Sequence, residues 1–398
     1  MAHAEHRSTV ELGRLLLEMT GRVRLDRARD LTASVVLATP EERWTLRVQE
    51  GRLTVGIGGT DRPDAVISSD AQTLVDVNTG LITGAEAFLA GRVTVRGNLG
   101  LALRLESMFE PIIPRPPEAP TDRAVIAGGL PVSILEAGRG DPVLLLHGLG
   151  ATKASFLPTL FALSKRHRVI APDLLGHGDT AKPLARYDAP TFARFTLDLM
   201  DALEIDRAHL IGNSMGGRIS LEVALHAPDR VRSLTLLCPA VAFIKRREFV
   251  PIVRLLRPEL GFLPHRLPHR LVVRSVRAMF ARPERLPMSW YEAGADEFLR
   301  VFRNPRGRAA LYASMRNIYL DEPAGDRGFW VRLERLETPA FFLWGDRDRL
   351  VPSGFSRHVE RVLPSARSLV IDDCGHVPQF EHPDTTHELV KDFLGSAA

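Results

Sequence analysis

Between residues 111 and 120 the chain reads Pro-Ile-Ile-Pro-Arg-Pro-Pro-Glu-Ala-Pro, so five of ten consecutive residues are proline. A proline has no amide proton and holds φ at about −65°, so neither a helix nor a sheet ladder runs through such a stretch. It is expected to be a stiff, extended spacer. The chain of 398 residues is therefore expected to fold in two parts, 1–112 and 121–398, with 113–120 as the linker. Each part must bury a core of its own.

The pattern before the linker is α+β. Val10 to Met19 carries apolar residues at helical spacing. Leu31–Ala38, Trp44–Val48 and Leu53–Ile57 read as short strands, the last two alternating around a turn at Glu50-Gly51. Ala65–Ser68 is a further strand, and Ser69-Asp70 after it has the form of a helix cap. Arg92–Arg96 alternates again, and Leu99–Met108 is an apolar helix.

After the linker the rhythm becomes strand, loop, helix, repeated. Val143–Leu146, Val169–Ala171, His209–Ile211, Leu234–Leu237, Phe341–Trp344 and Ser368–Ile371 are continuous apolar runs, suited to strands covered on both faces. The helical patterns between them imply an α/β doubly wound, parallel sheet. The alternation lapses from about Pro239 to Leu336. That stretch reads as an inserted helical cap at the carboxyl ends of the strands, where such sheets bind ligands.

Gly212-Asn213-Ser214-Met215-Gly216 lies between an apolar strand and a helix. A serine hydroxyl is a weak nucleophile and needs both exposure and a base. A sharp strand-to-helix turn exposes the hydroxyl, and Gly212 and Gly216 remove the side chains that such a turn would crowd. His147-Gly148-Leu149-Gly150 follows the strand at Val143. The amides of Leu149 and Met215 are the candidate oxyanion donors. Asp346 and Asp348 follow the strand at Phe341, and His376 lies in the loop after the last strand. Ser214, Asp348 and His376 then form the candidate triad, with Asp346 the alternative acid, and Asp372 and Asp373 read as solvated loop residues.

The formal net charge is +4, and lysine occurs at only five positions, so arginine dominates the 52 basic residues. No basic arm, recognition helix or zinc spacing accompanies that charge, and no nucleic-acid partner is expected. Cys238 and Cys374, the two cysteines, stand in no metal or redox spacing. They read as free thiols of a reducing, cytoplasmic protein. No signal-type run or spanning segment is evident, and no metal or cofactor is expected. Residues 245–285 are strongly basic with interleaved aromatic and leucine residues. They read either as a solvated cap face or as a peripheral contact with anionic membrane.

The motifs His147-Gly148, Asp173-Leu174-Leu175-Gly176-His177-Gly178, the Ser214 pentapeptide, Trp344-Gly345-x-x-Asp348 and Gly375-His376 resemble the α/β-hydrolase superfamily from about residue 121 onward. That resemblance implies an eight-stranded, mostly parallel sheet with a cap. The run Gly212–Gly217 also looks like meta-cleavage product hydrolases, which cut carbon–carbon bonds. The stretch His147–Thr152 lacks the fuller Gly- and Pro-containing oxyanion loop of those enzymes. Pro63–Ser68, Gly84–Val93 and Arg96–Leu103 resemble the sterol carrier protein 2 family, which implies a sheet and helices around an apolar tunnel. Phe88, Leu89, Leu99, Leu101, Leu103 and Met108 are the candidate lining residues, and ordinary core packing would use the same side chains.

The expected function is hydrolysis of a carboxylic ester of an apolar, lipid-like small molecule through an acyl-enzyme. The alternatives are carbon–carbon hydrolysis of a dienol-type acid, and a lipid carrier in which hydrolysis is secondary.

Overall fold

A computed structural model describes residues 2–29, 31–241, 253, 255–264, 266–326 and 328–396. Lys245, Arg246, Arg247, Phe243, Phe249 and Arg254 of the basic stretch lie outside the described residues. The chain divides into two compact units, Met1–Arg123 with Pro287–Arg300, and Ala124–Leu286 with Val301–Ala398.

The first unit holds a five-stranded sheet of β1 (Ala33–Ala38), β2 (Arg43–Gln49), β3 (Arg52–Ile57), β4 (Ala65–Ser68) and β5 (Thr94–Gly97), in the order β3-β2-β1-β4-β5. Glu50 and Gly51 both take positive φ, 50° and 77°, which gives the two-residue turn whose twist matches the β2–β3 ribbon. Three helices of this unit each begin on a side chain that occupies an otherwise unpaired amide. Asp70 accepts from the Thr73 amide, Thr83 and Glu86 form a reciprocal capping box, and Asn98 accepts from the Leu101 amide.

Two features of this unit depart from the reading of the sequence. The proline-rich segment has neither helix nor strand, as its composition requires, yet it is strapped down rather than free. The Ile113 amide donates to the Thr79 carbonyl at 2.8 Å, and Arg115 pairs with Glu106 at 3.0 Å. Pro287–Arg300 falls inside the stretch read as cap and groups with the first unit. The Trp290 ring stacks on Phe88 with centroids 6.2 Å apart. The carboxylate of Asp296 accepts from Arg96 Nε at 2.7 Å and from the Gly97 amide at 2.9 Å, and Glu297 accepts from the Leu99 amide at 3.2 Å.

The second sheet has eight strands: β6 (Thr121–Ala127), β7 (Leu130–Ala137), β8 (Asp141–Leu146), β9 (His167–Pro172), β10 (Ala208–Asn213), β11 (Val231–Leu237), β12 (Ala340–Gly345) and β13 (Arg367–Ile371). Their order is β13-β12-β11-β10-β8-β9-β7-β6. Every pairing from β9 through β13 is parallel, while β7 runs antiparallel to β9. The order reverses at β8, flanked by β9 and β10, which is the topological switch point of the sheet. Strands β10 and β12 are buried along their whole length, which accounts for the uninterrupted apolar sequence of β12 and the apolar Leu210-Ile211 centre of β10. Helical segments fill the insertion between β11 and β12, among them His269–Arg277, Met288–Arg303, Pro305–Tyr319 and Phe329–Leu333. Among the described residues no helix is long and apolar enough to cross a membrane.

Candidate active site

Strand β10 ends at Asn213 and the helix Met215–His226 begins two residues later, with Ser214 alone between them. Ser214 has φ 54° and ψ −116°, a backbone conformation that disfavours any side chain by about 1–3 kcal/mol. The turn is possible because the strand and the helix meet over glycine. A Cβ on Gly216 would sit 1.8 Å from the Leu146 carbonyl oxygen, and one on Gly212 would sit 2.4 Å from the Gly216 backbone. Within the run 208–224 Ser214 is the one residue not fully buried. The strain therefore presents a hydroxyl where both chain neighbours are sealed in the core.

Asp348 and His376 lie on two other strand-end loops. His376 Nδ1 and Asp348 Oδ2 are 2.6 Å apart, and both side chains are buried. A carboxylate oxygen accepts, so Nδ1 is the donor of this bond and Nε2 is the ring nitrogen left for another partner. The other carboxylate oxygen accepts from the amides of Leu350 and Val351 at 2.8 and 2.9 Å. Asp346 is exposed and serves the next loop instead, accepting from the Cys374 amide at 3.0 Å. Asp373, expected as a solvated residue, is partly buried against Arg282, Arg285 and Arg347. Solvation would leave it ordinary, but these guanidinium groups outweigh desolvation and hold its carboxyl below the usual range.

Asn213, Lys153 and Asp173 also hold the site, and none of them stands out in the sequence with a role of its own. Asn213 Nδ2 donates to the carbonyl oxygens of Leu237 and His376, each at 3.0 Å, so the residue beside the serine grips the backbone of the histidine. Its signal was the position just before the serine in the pentapeptide. Lys153 and Asp173 form a buried ion pair at 3.5 Å, and the Asp173 carboxylate also accepts the amides of Lys153 and Asp179. Lys153 Nζ donates as well to Ser133 Oγ. Desolvation alone would raise the Asp173 carboxyl, but Lys153 and the amides leave it below its usual range. This knot explains the Asp173–Gly178 motif, which braces the loop that carries Leu149.

His147 is part of the same brace. Its Nε2 accepts from the Leu174 amide at 2.9 Å and its Nδ1 donates to the Gly148 carbonyl at 2.8 Å. Complete burial lowers its pKa and keeps the ring neutral. The backbone it fixes passes close to the serine, since a Cβ on Gly148 would lie 3.3 Å from Ser214 Cβ. Leu149 is half-buried and Met215 is buried, and neither amide has a hydrogen-bond acceptor among the described residues. Two unfilled donors near a strained serine are what an oxyanion site requires.

Cys238 is also close. Its Sγ, an Asp348 oxygen and a His376 ring nitrogen lie within 4.8 Å of one another. They make a poor metal site, because two donors on one ion stand roughly 3 Å or more apart and here Nδ1 and Oδ2 are joined directly at 2.6 Å. Burial pushes the Cys238 thiol well above its ordinary pKa, and the neighbouring carboxylate adds to this.

These loops stand on a fold that can be compared directly. Residues 141–383 match the family described as alpha/beta hydrolase fold. The chain belongs to that family. Residues 14–110 of this α/β hydrolase match the SCP-2 sterol transfer family. A 2-hydroxy-6-oxo-2,4-heptadienoate hydrolase of Pseudomonas putida is 30% identical over 280 residues, which cover 69% of this chain and 96% of that one. Among solved structures, a bacterial membrane phospholipase A shares 26% identity with a TM-score of 0.61, covering 82% of this α/β hydrolase and 96% of its own chain. An enol-lactonase from Burkholderia xenovorans shares 25% identity with a TM-score of 0.57, covering 69% and 100%.

The first unit carries a partly open cavity. Phe88, Leu99 and Leu103 line it, with Leu16, Leu37 and Leu46 among the others; Leu89, Leu101 and Met108 are not among the lining residues. Four charged groups, Arg22, Glu106, Glu110 and Arg115, and the amide of Asn78 join this mainly apolar wall. Burial raises the Glu106 carboxyl, and Arg115 opposes that rise.

Proposed function

We propose that this α/β hydrolase cleaves carboxylic esters of apolar, acyl-chain molecules through a covalent intermediate on Ser214. The observation that carries the reading is the Asp348–His376 bond at 2.6 Å on a loop that Asn213, the neighbour of Ser214, holds at 3.0 Å. Asp348 keeps the proton on Nδ1, so Nε2 of His376 takes the Ser214 proton as the hydroxyl attacks the carbonyl. The amides of Leu149 and Met215 hold the oxyanion, with the positive end of the helix Met215–His226 behind them. His376 then protonates the departing alcohol and activates the water that releases the acid. Gly212 and Gly216 serve only to make the turn.

The phospholipase and the enol-lactonase support an ester, since both names denote enzymes of acyl–oxygen bonds. The cavity of the first unit supports an apolar substrate, because a second site on the same chain raises the local concentration of its ligand. Two buried free thiols suit a reducing compartment such as the cytoplasm. A second reading, carbon–carbon hydrolysis of a dienoate acid, is favoured by the relative from Pseudomonas putida.

A substrate panel separates the two. Nitrophenyl esters of rising chain length should be turned over, while aromatic ring-cleavage dienoates should not. Ala102→Phe, which fills the cavity, should raise KM for the long esters and leave the short ones unchanged. Turnover of dienoates without ester cleavage would overturn the reading.

A further inference from the structure

Residues 255–277 of the second unit present an unusual surface. Leu255 is 72% exposed, Leu263 54%, Leu271 53% and Phe262 49%, with Leu260 and Leu267 also exposed. The same stretch carries Arg257, Arg266, Arg270 and Arg274, all exposed, and Glu259 is its one acidic residue. None of these four arginines forms an ion pair with a described residue. Single exposed leucines are ordinary, but a concentrated set of them marks an interaction site.

The segment is held in place by its backbone. Arg308 is buried, and its guanidinium donates to the carbonyls of Gly261 and Leu263 at 2.7 and 3.1 Å and to those of Phe302 and Arg303. A Cβ on Gly261 would lie 2.4 Å from the Ala309 amide nitrogen, so this turn packs directly on the helix Pro305–Tyr319. Val272 is buried and anchors the helix His269–Arg277. The main chain is thus fixed while the large apolar side chains point to solvent. Such preorganisation lowers the ordering cost of docking.

We infer that residues 255–277 form a docking surface for an anionic lipid bilayer. The leucines and Phe262 enter the headgroup boundary, and the four arginines meet lipid phosphates. A second copy of this chain is a poorer occupant, because a self-complementary contact would set four arginines against four with a single acid on each side. The inference goes beyond ester hydrolysis and does not depend on it.

Co-sedimentation of the full chain with vesicles tests it. Vesicles of phosphatidylcholine alone are compared with vesicles that also contain phosphatidylglycerol. The chain should bind the anionic vesicles at least about tenfold more tightly, and added salt should weaken that binding. Arg266→Gln, Arg270→Gln and Arg274→Gln together should abolish the preference. Phe262→Ser with Leu263→Ser should weaken binding to both vesicles, with the thermal midpoint unchanged in each variant. Absence of binding to either vesicle, or equal binding to both, would overturn the inference. So would light scattering that shows a dimer which the Phe262 and Leu263 substitutions split.

Discussion

Asn213 and His376 are 163 positions apart in sequence, yet the Asn213 amide donates to the His376 carbonyl oxygen at 3.0 Å. The same amide group also holds the end of β11 through Leu237. The strand that delivers the serine and the loop that delivers the histidine are therefore fixed to each other by one side chain.

Removing that side chain should loosen the site without emptying it. Asn213→Ala leaves the triad residues in place and frees the backbone of His376, and a misplacement of about 1 Å can cost about a hundredfold in rate. The expected outcome is a fall of about 10- to 100-fold in kcat with KM little changed. Steady-state kinetics on a nitrophenyl ester check it, and unchanged kcat would show that Asn213 does not position the histidine.

The buried Lys153–Asp173 pair makes a stability prediction. Lys153→Met leaves the Asp173 carboxylate buried with its amide donors but without its cation. Breaking one side of such a pair costs about 3–5 kcal/mol. Urea unfolding should show a loss of that order, and the companion variant Lys153→Met with Asp173→Leu should recover part of it. No loss in the single variant would mean that water replaces the cation.

Three histidines outside the triad give the chain an acid sensitivity. Burial is the main cause that pulls His177 to about 3 and His209 and His387 to about 4. The folded pKa is depressed in each case, so the unfolded chain binds more protons between about pH 6.5 and pH 4. Stability contributed by the neutral rings is full above pH 6.5 and is lost as pH falls toward the folded values. The urea midpoint should drop between pH 7 and pH 5. His387→Gln, which keeps a partner for Thr159, should flatten part of that slope. A midpoint that is level across this range would contradict the assignment.

Local patterns carried most of the second unit. The glycines around Ser214 and the acid and histidine after strand ends follow from chemistry that acts over a few residues. Strands β6 and β7 did not stand out: β6 is the edge strand and alternates between buried and exposed positions, and β7 beside it carries the polar Ser133 and Glu136 among its apolar residues. The pairing of Lys153 with Asp173 joins residues twenty positions apart and leaves no periodic trace. The grouping of Pro287–Arg300 with the first unit depends on contacts such as Trp290 with Phe88, which no window of sequence displays. Arg22, Glu106 and Arg115 carry no local signal of a cavity, and only the fold places them on its wall.

The covalent step proposed for Ser214 is open to direct measurement. The protein is mixed with a nitrophenyl acyl ester, quenched in acid within a turnover and weighed intact by mass spectrometry, and its peptides are then mapped. The expected result is an increase equal to one acyl group on the peptide containing Ser214, absent from Ser214→Ala, which binds the ester without turning it over. Sustained turnover by Ser214→Ala, or an acyl group found on another residue, would contradict the account.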